Sequence, residues 1–331
     1  MRTLWKDILI SLLMGMVMPW MVLNFAVTLM EAPSQQDSLQ TQPGTGPAPT
    51  AEACSMYLRM ADGSIERMDL DAYLLRVVLA EMPASFEMEA LKAQAVVART
   101  YTARAYTTGG KHGDGSVCTD SGCCQAYITE KEYLEKGGSM ESVAKIRGAV
   151  EETSCQVLTY EGELIEATYF SCSGGITEDA AAVWGTEYPY LQSVESPGEE
   201  GASVYTVTTG WSVRELCTLL GLEDTRPVLG TVTYTDGGGV DTMELCGKRF
   251  RGTELRQLLG LRSTAFTVAV EGDTVTITTR GYGHRVGMSQ YGADAMALNG
   301  SSCEEILAHY YQGTEICRLE IDESGELRYD K

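Results

Sequence analysis

The sequence predicts an α+β protein in which a single N-terminal transmembrane helix precedes a helical segment that is combined with antiparallel β-hairpins and sheet. Three patterns support this class: a long uncharged apolar run, helical periodicity in the section that follows it, and alternating β-branched segments beyond Glu151. The chain shows no internal repeat and no βαβ rhythm, so a doubly wound parallel sheet is not expected.

Residues 8–30, ILISLLMGMVMPWMVLNFAVTLM, carry no charge. At about 1.5 Å per residue they are long enough to cross a hydrocarbon core of about 30 Å. Arg2 and Lys6 precede the run, so the positive-inside rule predicts that residues 1–7 are cytoplasmic and that the rest is extracytoplasmic. A cleaved signal peptide is the alternative, but no A-x-A site closes the run, and we expect a single-pass anchor in the cell membrane.

Residues 31–53 are rich in Pro, Gly and polar residues, which predicts a flexible linker. The globular domain is then expected over residues 54–331, with a helical part at about 69–150 and a β-rich part at about 151–331. These boundaries follow from the change in hydrophobic period near Glu151.

The helical part begins with apolar residues at three- and four-residue spacing after Leu70, with Asp69 as N-cap and Pro83 as the stop. A second helix is predicted over residues 86–104, with Ser85 as its N-cap. In the β-rich part, segments such as VYTVTT, GTVTYT and FTVAV-EGD-TVTITT predict strands and hairpins. Short helices are predicted at residues 253–259, 288–298 and 303–311.

Composition excludes some classes of partner. The 331 residues are 44% hydrophobic and 21% charged, and their formal net charge is -21. Such an acidic chain would repel nucleic-acid phosphates and anionic lipid surfaces, so nucleic-acid binding is not expected.

Glu81 is the candidate for acid–base chemistry, because Leu79, Ala80, Met82 and Pro83 surround it in the sequence and would shield its carboxylate from water. Lys92 and Arg99 lie seven residues apart and therefore on nearly the same helix face, with Gln94 nearby. Two cations beside one acid would orient a polar substrate. A plain salt bridge between Glu81 and either cation is an equally open interpretation.

The loop KHGDGSVCTDSGCCQAY holds four candidate metal ligands, which are His112, Cys118, Cys123 and Cys124. Zinc takes four nitrogen or sulfur ligands in a tetrahedron, and a closed set of four would be structural. The alternative is a disulfide that joins Cys118 to Cys123 or Cys124. We favour the metal, because a His at the start of the loop has no role in a disulfide.

The segments SCSGG and GYGHRVGMSQ combine glycines with Ser, Gln, His and Tyr. Glycine lets a backbone approach a ligand closely, and neutral polar side chains suit hydrogen bonding to sugars. Taken alone these are ordinary turn residues. A different class of protein is also open, a cysteine peptidase or amidase with Cys172 as nucleophile and His284 as base.

Several long motifs in the globular part resemble the stage II sporulation protein D family of peptidoglycan lytic transglycosylases. They are AEMPASFEMEALKAQAVVARTY, CCQAY, YFSCSGGITED, VWGTEYPYLQSVESP and GYGHRVGMSQYGADAMA. The resemblance implies cleavage of the β-1,4 bond between N-acetylmuramic acid and N-acetylglucosamine, with formation of a 1,6-anhydro ring, during engulfment in sporulation. Glu81 matches the catalytic glutamate of the family. Some relatives bind zinc in the loop with two His and two Cys, and the position of the second His here corresponds to Cys123.

The resemblance also implies a substrate groove and partners. The partners are glycan strands without stem peptides, a peptidoglycan amidase and a membrane protein of the engulfment machinery. The chain departs from the family pattern at Phe170, where His is common, and at Arg285, where Gly is usual. A non-catalytic glycan-binding scaffold therefore stays open. The implied groove residues are Lys92, Gln94, Arg99, Tyr101, Tyr169, Ser171, Ser173, Gly174, Gly175, Trp184, Gly283, His284, Gly287, Met288, Ser289 and Gln290.

Overall fold

The computed structural model describes residues 55–223, 229–321 and 327–330. Helices and strands alternate irregularly along this part of the chain. The helices are α1 (Leu70–Glu81), α2 (Met88–Thr108), α3 (Glu130–Glu135), α4 (Met140–Glu152), α5 (Ala180–Trp184), α6 (Val213–Leu220), α7 (Gly252–Leu258), α8 (Gln290–Leu298) and α9 (Cys303–Tyr310). The strands are β1 (Ser55–Arg59), β2 (Ile65–Asp69), β3 (Val117–Cys118), β4 (Gln156–Tyr160), β5 (Glu163–Leu164), β6 (Tyr169–Phe170), β7 (Thr206–Ser212), β8 (Leu229–Tyr234), β9 (Val240–Leu245), β10 (Lys248–Arg251), β11 (Phe266–Glu271), β12 (Thr274–Arg280), β13 (Met288–Ser289), β14 (Glu315–Ile321) and β15 (Leu327–Asp330).

The predicted fold class is wrong in its membrane-spanning part: within the ranges given above, every helix is too short or too polar to cross a bilayer. The predicted span at residues 8–30 lies outside the described residues, as do the tip at 1–7 and the linker at 31–53. The mixture of helix and sheet is present. The sheets are not purely antiparallel, because β1 pairs with β3 and β6 pairs with β13 in parallel.

The N-cap predicted from the sequence is present in the first helix and absent from the second. α1 has the expected bounds, and the Asp69 carboxylate accepts a hydrogen bond of 2.8 Å from the amide of Ala72. α2 begins later than predicted, and Glu87 rather than Ser85 precedes it. The amide of Glu87 donates to the carboxylate of Asp294 in α8 at 2.7 Å. A tertiary contact thus replaces the expected local cap.

The larger hydrophobic core surrounds α2, which packs against α1, α4, α8, α9 and strand β4. Its alanine and valine side chains are fully buried, from Ala90 to Ala98. Small side chains allow neighbouring elements to approach this helix from every side. The four-stranded sheet β15-β14-β4-β5 covers the larger core.

A smaller core lies within residues 213–277 and packs α6 and α7 against two three-stranded sheets, β7-β12-β11 and β8-β9-β10. Buried residues alternate with more exposed ones along β12. Because successive side chains point to opposite sides of a strand, β12 packs one apolar face against this core.

Strands β6 and β13 form a short parallel pair that packs with the larger core. Met288 pairs with Tyr169, and Ser289 pairs with Phe170. Gly287 makes this pairing possible, because a Cβ there would lie 2.1 Å from the carbonyl oxygen of Thr168, and its φ is +81°. Because Gly287 has no side chain, strands β6 and β13 can approach each other; the glycine does not open space for a ligand.

Candidate active-site groove

A groove of about 950 Å³ lies beside β6 and is lined by both the helical part and the segment that follows the smaller core. This volume is at the upper end of the range of about 300–1,000 Å³ that is usual for ligand pockets. Many of the residues predicted for the site line it together. They are Glu81, Tyr101, Cys123, Cys124, Tyr169, Ser171, Trp184, Gly283, His284 and Gln290.

Glu81 is the last residue of α1, where Met82 adopts an extended conformation and ends the helix. Its Oε1 atom accepts hydrogen bonds from the amide of Ala126 at 2.8 Å and from the hydroxyl of Tyr169 at 3.2 Å. No group in the described part of the chain hydrogen-bonds to Oε2. One oxygen is therefore held by the protein, and the other is available to a substrate in the groove.

The predicted alternative, a salt bridge from Glu81 to Lys92 or Arg99, is not formed. Lys92 pairs with Glu89 at 2.9 Å and with Glu152 at 2.6 Å. Glu166 is the other carboxylate that lines the groove, and it pairs with Arg104 at 3.0 Å. Within the described residues, Glu81 is therefore the groove carboxylate without an ion-pair partner.

Tyr169 is anchored by Gln125, a residue that the sequence did not single out. The Tyr169 hydroxyl lies 3.2 Å from Oε1 of Gln125, whose Nε2 donates to Tyr73 at 3.1 Å and to Thr102 at 3.0 Å. Burial and the nearby charge of Glu81 raise the pKa of Tyr169 well above its ordinary value. The hydroxyl therefore stays protonated and remains a hydrogen-bond donor.

The four predicted metal ligands come together: their ligand atoms all lie within 4.8 Å of one another. Nε2 of His112 is 3.8 Å from the Cys123 sulfur and 3.5 Å from the Cys124 sulfur, and the two sulfurs are 3.9 Å apart. Two sulfurs bound tetrahedrally at about 2.3 Å from zinc would be about 3.8 Å apart. The donor set and its spacing therefore fit a tetrahedral zinc ion.

Part of the wall of the groove is aromatic. Trp184 and Tyr282 are 40% and 45% exposed, which is unusual for large aromatic side chains. The imidazole of His284 lies between Trp184 and Phe170, with ring centroids 5.4 and 5.6 Å away. Such exposed faces can stack on pyranose rings.

His284 does not have the features of a general base. Burial, aided by the charge of Arg256, lowers the pKa of His284 to about 4. Its Nδ1 accepts a hydrogen bond of 3.1 Å from the amide of Val286. The lone pair at Nδ1 is therefore already used within the protein.

Cys172, the nucleophile of the alternative hypothesis, is fully buried and is not among the residues that line the groove. Its thiol donates to Glu199 at 3.2 Å. Burial and the Glu199 carboxylate raise the pKa of Cys172 to about 12. A protonated thiol is a poor nucleophile, so this geometry does not support a cysteine peptidase.

The motif around Cys172 is instead organised by Glu199, which the sequence analysis missed. The Ser173 hydroxyl and the Gly174 amide donate to one oxygen of Glu199, and the hydroxyls of Ser196 and Ser289 donate to the other. A buried carboxylate requires such donors. Ser173, Gly174 and Ser289 therefore lie behind the groove, and Gly175, Gly287 and Met288 also do not line it.

Three more predicted residues lie away from the groove, on α2. The Arg99 side chain is fully buried and pairs with Asp71 at 2.9 Å. Gln94 is also fully buried. Lys92 is held by its two carboxylates. The helical spacing places these residues on α2 as expected, but the face they occupy packs into the protein.

The cations of the groove are different from those expected. Lys111 and Arg256 line it. Arg285, which departs from the family pattern, is 1% exposed and pairs with Glu178 at 3.1 Å, so it is not a groove cation. Arg256 comes from the smaller core, where no sequence motif pointed to a site.

Comparisons with known proteins agree on one family. The sequence profile of the family described as SpoIID: Stage II sporulation protein matches residues 61–160, which include Glu81 and the metal loop. Stage II sporulation protein D of Bacillus subtilis (strain 168) is 39% identical over 292 residues, which are 86% of this chain and 85% of that protein. Stage II sporulation protein D of Bacillus amyloliquefaciens is 41% identical over 264 residues, 78% of this chain and 77% of that protein. The amidase enhancer of Bacillus subtilis (strain 168) is 30% identical over 72% of this chain and 39% of its own length.

Proposed function

The chain belongs to the stage II sporulation protein D family, and from this premise we propose that it is a peptidoglycan lytic transglycosylase that acts in sporulation. The observation that carries the proposal is the environment of Glu81. Among the residues that the structure describes, this groove carboxylate has no ion-pair partner, two donors hold one of its oxygens, and no group hydrogen-bonds to the other. A lytic transglycosylase needs one such group, whereas a hydrolytic glycosidase normally needs two carboxylates.

The proposed reaction uses Glu81 twice. The protonated carboxyl group gives its proton through Oε2 to the glycosidic oxygen, and the bond between that oxygen and C1 of the muramic acid breaks. The carboxylate then takes the proton of the 6-hydroxyl of the same sugar as its oxygen bonds to C1. This closes the 1,6-anhydro ring and restores the protonated acid. Donation from Ala126 and Tyr169 to Oε1 stabilises the anion that exists between the two transfers.

Product analysis of Glu81→Gln protein tests this proposal. The wild-type protein, incubated with glycan strands that carry no stem peptides, should release fragments with anhydro ends, and Glu81→Gln should release none. Mass spectrometry separates the outcomes, because an anhydro end lacks one water relative to a reducing end. Reducing ends would indicate a hydrolase. Binding of glycan without any product by the wild-type protein would favour the scaffold.

We also propose that His112, Cys118, Cys123 and Cys124 hold a structural zinc ion, which would cross-link the loop and leave no coordination position open for water or substrate. The spacing of the four ligand atoms supports this proposal. Native protein that was never exposed to chelator should contain about one equivalent of zinc. Less than a tenth of an equivalent would exclude it.

The cellular setting is part of the proposal. Glycan strands lie outside the cytoplasmic membrane, so the domain is expected to act there. A peptidoglycan amidase would supply strands without stem peptides, and a membrane protein of the engulfment machinery would complete the assembly. One relative is named for the enhancement of an amidase, which fits a link between the two activities. Co-purification of the amidase with the full chain tests it.

A further inference from the structure

We propose that Arg256 recognises the free lactyl carboxylate of muramic acid and thereby selects glycan strands that have lost their stem peptides. The inference rests on the proposed function, because it names the part of the glycan that the groove reads. Arg256 had no role in the motifs of the sequence.

Arg256 is presented to the groove by a fixed element. It lies in the last turn of α7, next to Leu255, which is 1% exposed in the smaller core. Its carbonyl accepts a hydrogen bond of 2.9 Å from the amide of Leu261. It lines the groove together with Tyr282, Gly283 and His284. The backbone at this position is therefore rigid, and the guanidinium group adjoins the aromatic wall.

Arg256 differs from Arg104 and Lys111, the other cations around the groove, because each of those two has a partner within the described part of the protein. Arg104 pairs with Glu166, and the Lys111 ammonium group donates to the carbonyl of Cys123. The Arg256 side chain makes no hydrogen bond or ion pair with any residue that the structure describes. The side chain is half-buried, and this partial burial lowers the pKa of Arg256, so the guanidinium has lost part of its hydration without gaining a partner among the described residues. An anionic group on a bound substrate would supply the partner that the guanidinium lacks.

The substrate has one group that fits this cation. Each muramic acid carries a lactyl group in ether linkage. The carboxyl group of this lactyl group forms an amide while the stem peptide is attached, and it is a free carboxylate once an amidase has removed the peptide. N-acetylglucosamine has no charged group. A guanidinium binds a carboxylate through two parallel hydrogen bonds, and it gains much less from a neutral amide. Arg256 would therefore distinguish stripped strands from peptide-bearing ones.

The test compares two glycans in a binding assay with catalytically inactive Glu81→Gln protein. One glycan carries free lactyl carboxylates, and the other has the same carboxylates converted to neutral methylamides. The parent protein should bind the carboxylate form at least about tenfold more tightly, a difference of about 1.4 kcal/mol, because the guanidinium binds the carboxylate through charge-assisted hydrogen bonds. The preference should shrink as salt is added.

Adding Arg256→Gln should abolish the preference, whereas Arg256→Lys should keep part of it. Arg214→Gln is the matched control, because Arg214 is an exposed cation on α6 of the same smaller core and does not line the groove. It should keep the full preference. An unchanged preference in Arg256→Gln protein that melts like its parent would overturn the inference.

The result of this binding assay does not depend on which reaction the wild-type protein catalyses. A lost preference in Arg256→Gln, together with reducing ends in the products of the wild-type protein, would refute the proposed transglycosylase and support this inference. Anhydro products together with equal binding of the two glycans by the parent protein would support the transglycosylase and refute the role of Arg256.

Discussion

The amide of Ala126 donates a hydrogen bond of 2.8 Å to the carboxylate of Glu81, and Ala126 lies two residues after Cys124, a member of the metal cluster. Gln125, between them, lies within hydrogen-bonding distance of Tyr169. The loop that carries the four candidate metal ligands thus continues directly into the segment whose backbone hydrogen-bonds to Glu81.

This connection predicts that removal of zinc disturbs Glu81 as well as the loop. Chelation, or Cys118→Ser, should lower the melting temperature by about 5–10 °C, because the proposed zinc ion would stabilise the folded state by several kcal/mol. Amide hydrogen exchange at Ala126 should become faster at the same time. Cys155→Ser is the control, since Cys155 lies outside the cluster. Unchanged exchange at Ala126 after chelation would contradict the coupling.

Tyr169→Phe should slow glycan cleavage by about tenfold in kcat, because it removes one of two donors to the Glu81 carboxylate while the aromatic ring remains. Folding should be little affected, which thermal unfolding can verify. Tyr57→Phe is the matched control, because the Tyr57 side chain is exposed and does not line the groove. Equal kcat values for the two variants would show that the Tyr169 hydroxyl has no part in the reaction.

His284 should make the protein less stable in acid. Its folded-state pKa of about 4 lies below the ordinary histidine value of 6.5, so the unfolded chain binds the proton more readily between these two pH values. Its contribution to stability is present above about pH 6.5 and is lost as the pH falls toward 4, by up to about 3 kcal/mol. The charged groups that hold its pKa down include Arg256 and Lys111.

Urea denaturation at pH 7 and at pH 4.5 measures this contribution. The stability lost between the two pH values should be smaller in His284→Gln than in the wild-type protein. A matching variant of His309, which is half-buried and does not line the groove, should keep the wild-type difference. If both variants behave like the wild-type protein, the imidazole at position 284 is not held neutral.

The parts of the site that the sequence predicted are those fixed by local signals. Glu81 follows from the end of a capped helix, and the four metal ligands lie in one short loop. Lys92 and Arg99 show the limit, because helical spacing reveals which residues share a face and not whether that face meets solvent or core. Ala126 acts through its backbone amide, which no side-chain pattern reveals. Arg256 reaches the groove only through the packing of the smaller core.

Arg285 illustrates the same limit and leads to a further prediction. Its φ is +68°, in the left-handed region that favours glycine, and glycine is usual at this position in the family pattern that the sequence resembles. The side chain nevertheless donates to the carbonyls of Ser173, Ile176 and Gly237 in addition to its pairing with Glu178. Gly237 lies between β8 and β9, so Arg285 connects the smaller core to the segment behind the groove.

Arg285→Gly should therefore destabilise the protein even though it relieves backbone strain. Relief of a left-handed conformation gains about 1 kcal/mol, whereas breaking a buried ion pair on one side costs about 3–5 kcal/mol. The net loss of about 2–4 kcal/mol should appear in urea denaturation at pH 7. Glu178→Gln added to Arg285→Gly should recover at least about 1 kcal/mol, because a neutral amide is less costly to bury without a cation than a carboxylate.

The pH dependence of the single variant provides the decisive control. Burial already raises the pKa of Glu178, and Arg285 opposes that shift, so loss of the guanidinium leaves burial unopposed. In Arg285→Gly the folded state then binds its proton more tightly than the unfolded state does. The stability deficit relative to wild type should accordingly be largest near pH 7 and should shrink as the pH falls through the raised pKa of Glu178 toward the ordinary range of a glutamate. A deficit that is constant with pH would show that the three carbonyl contacts, rather than the ion pair, are what Arg285 contributes to the fold.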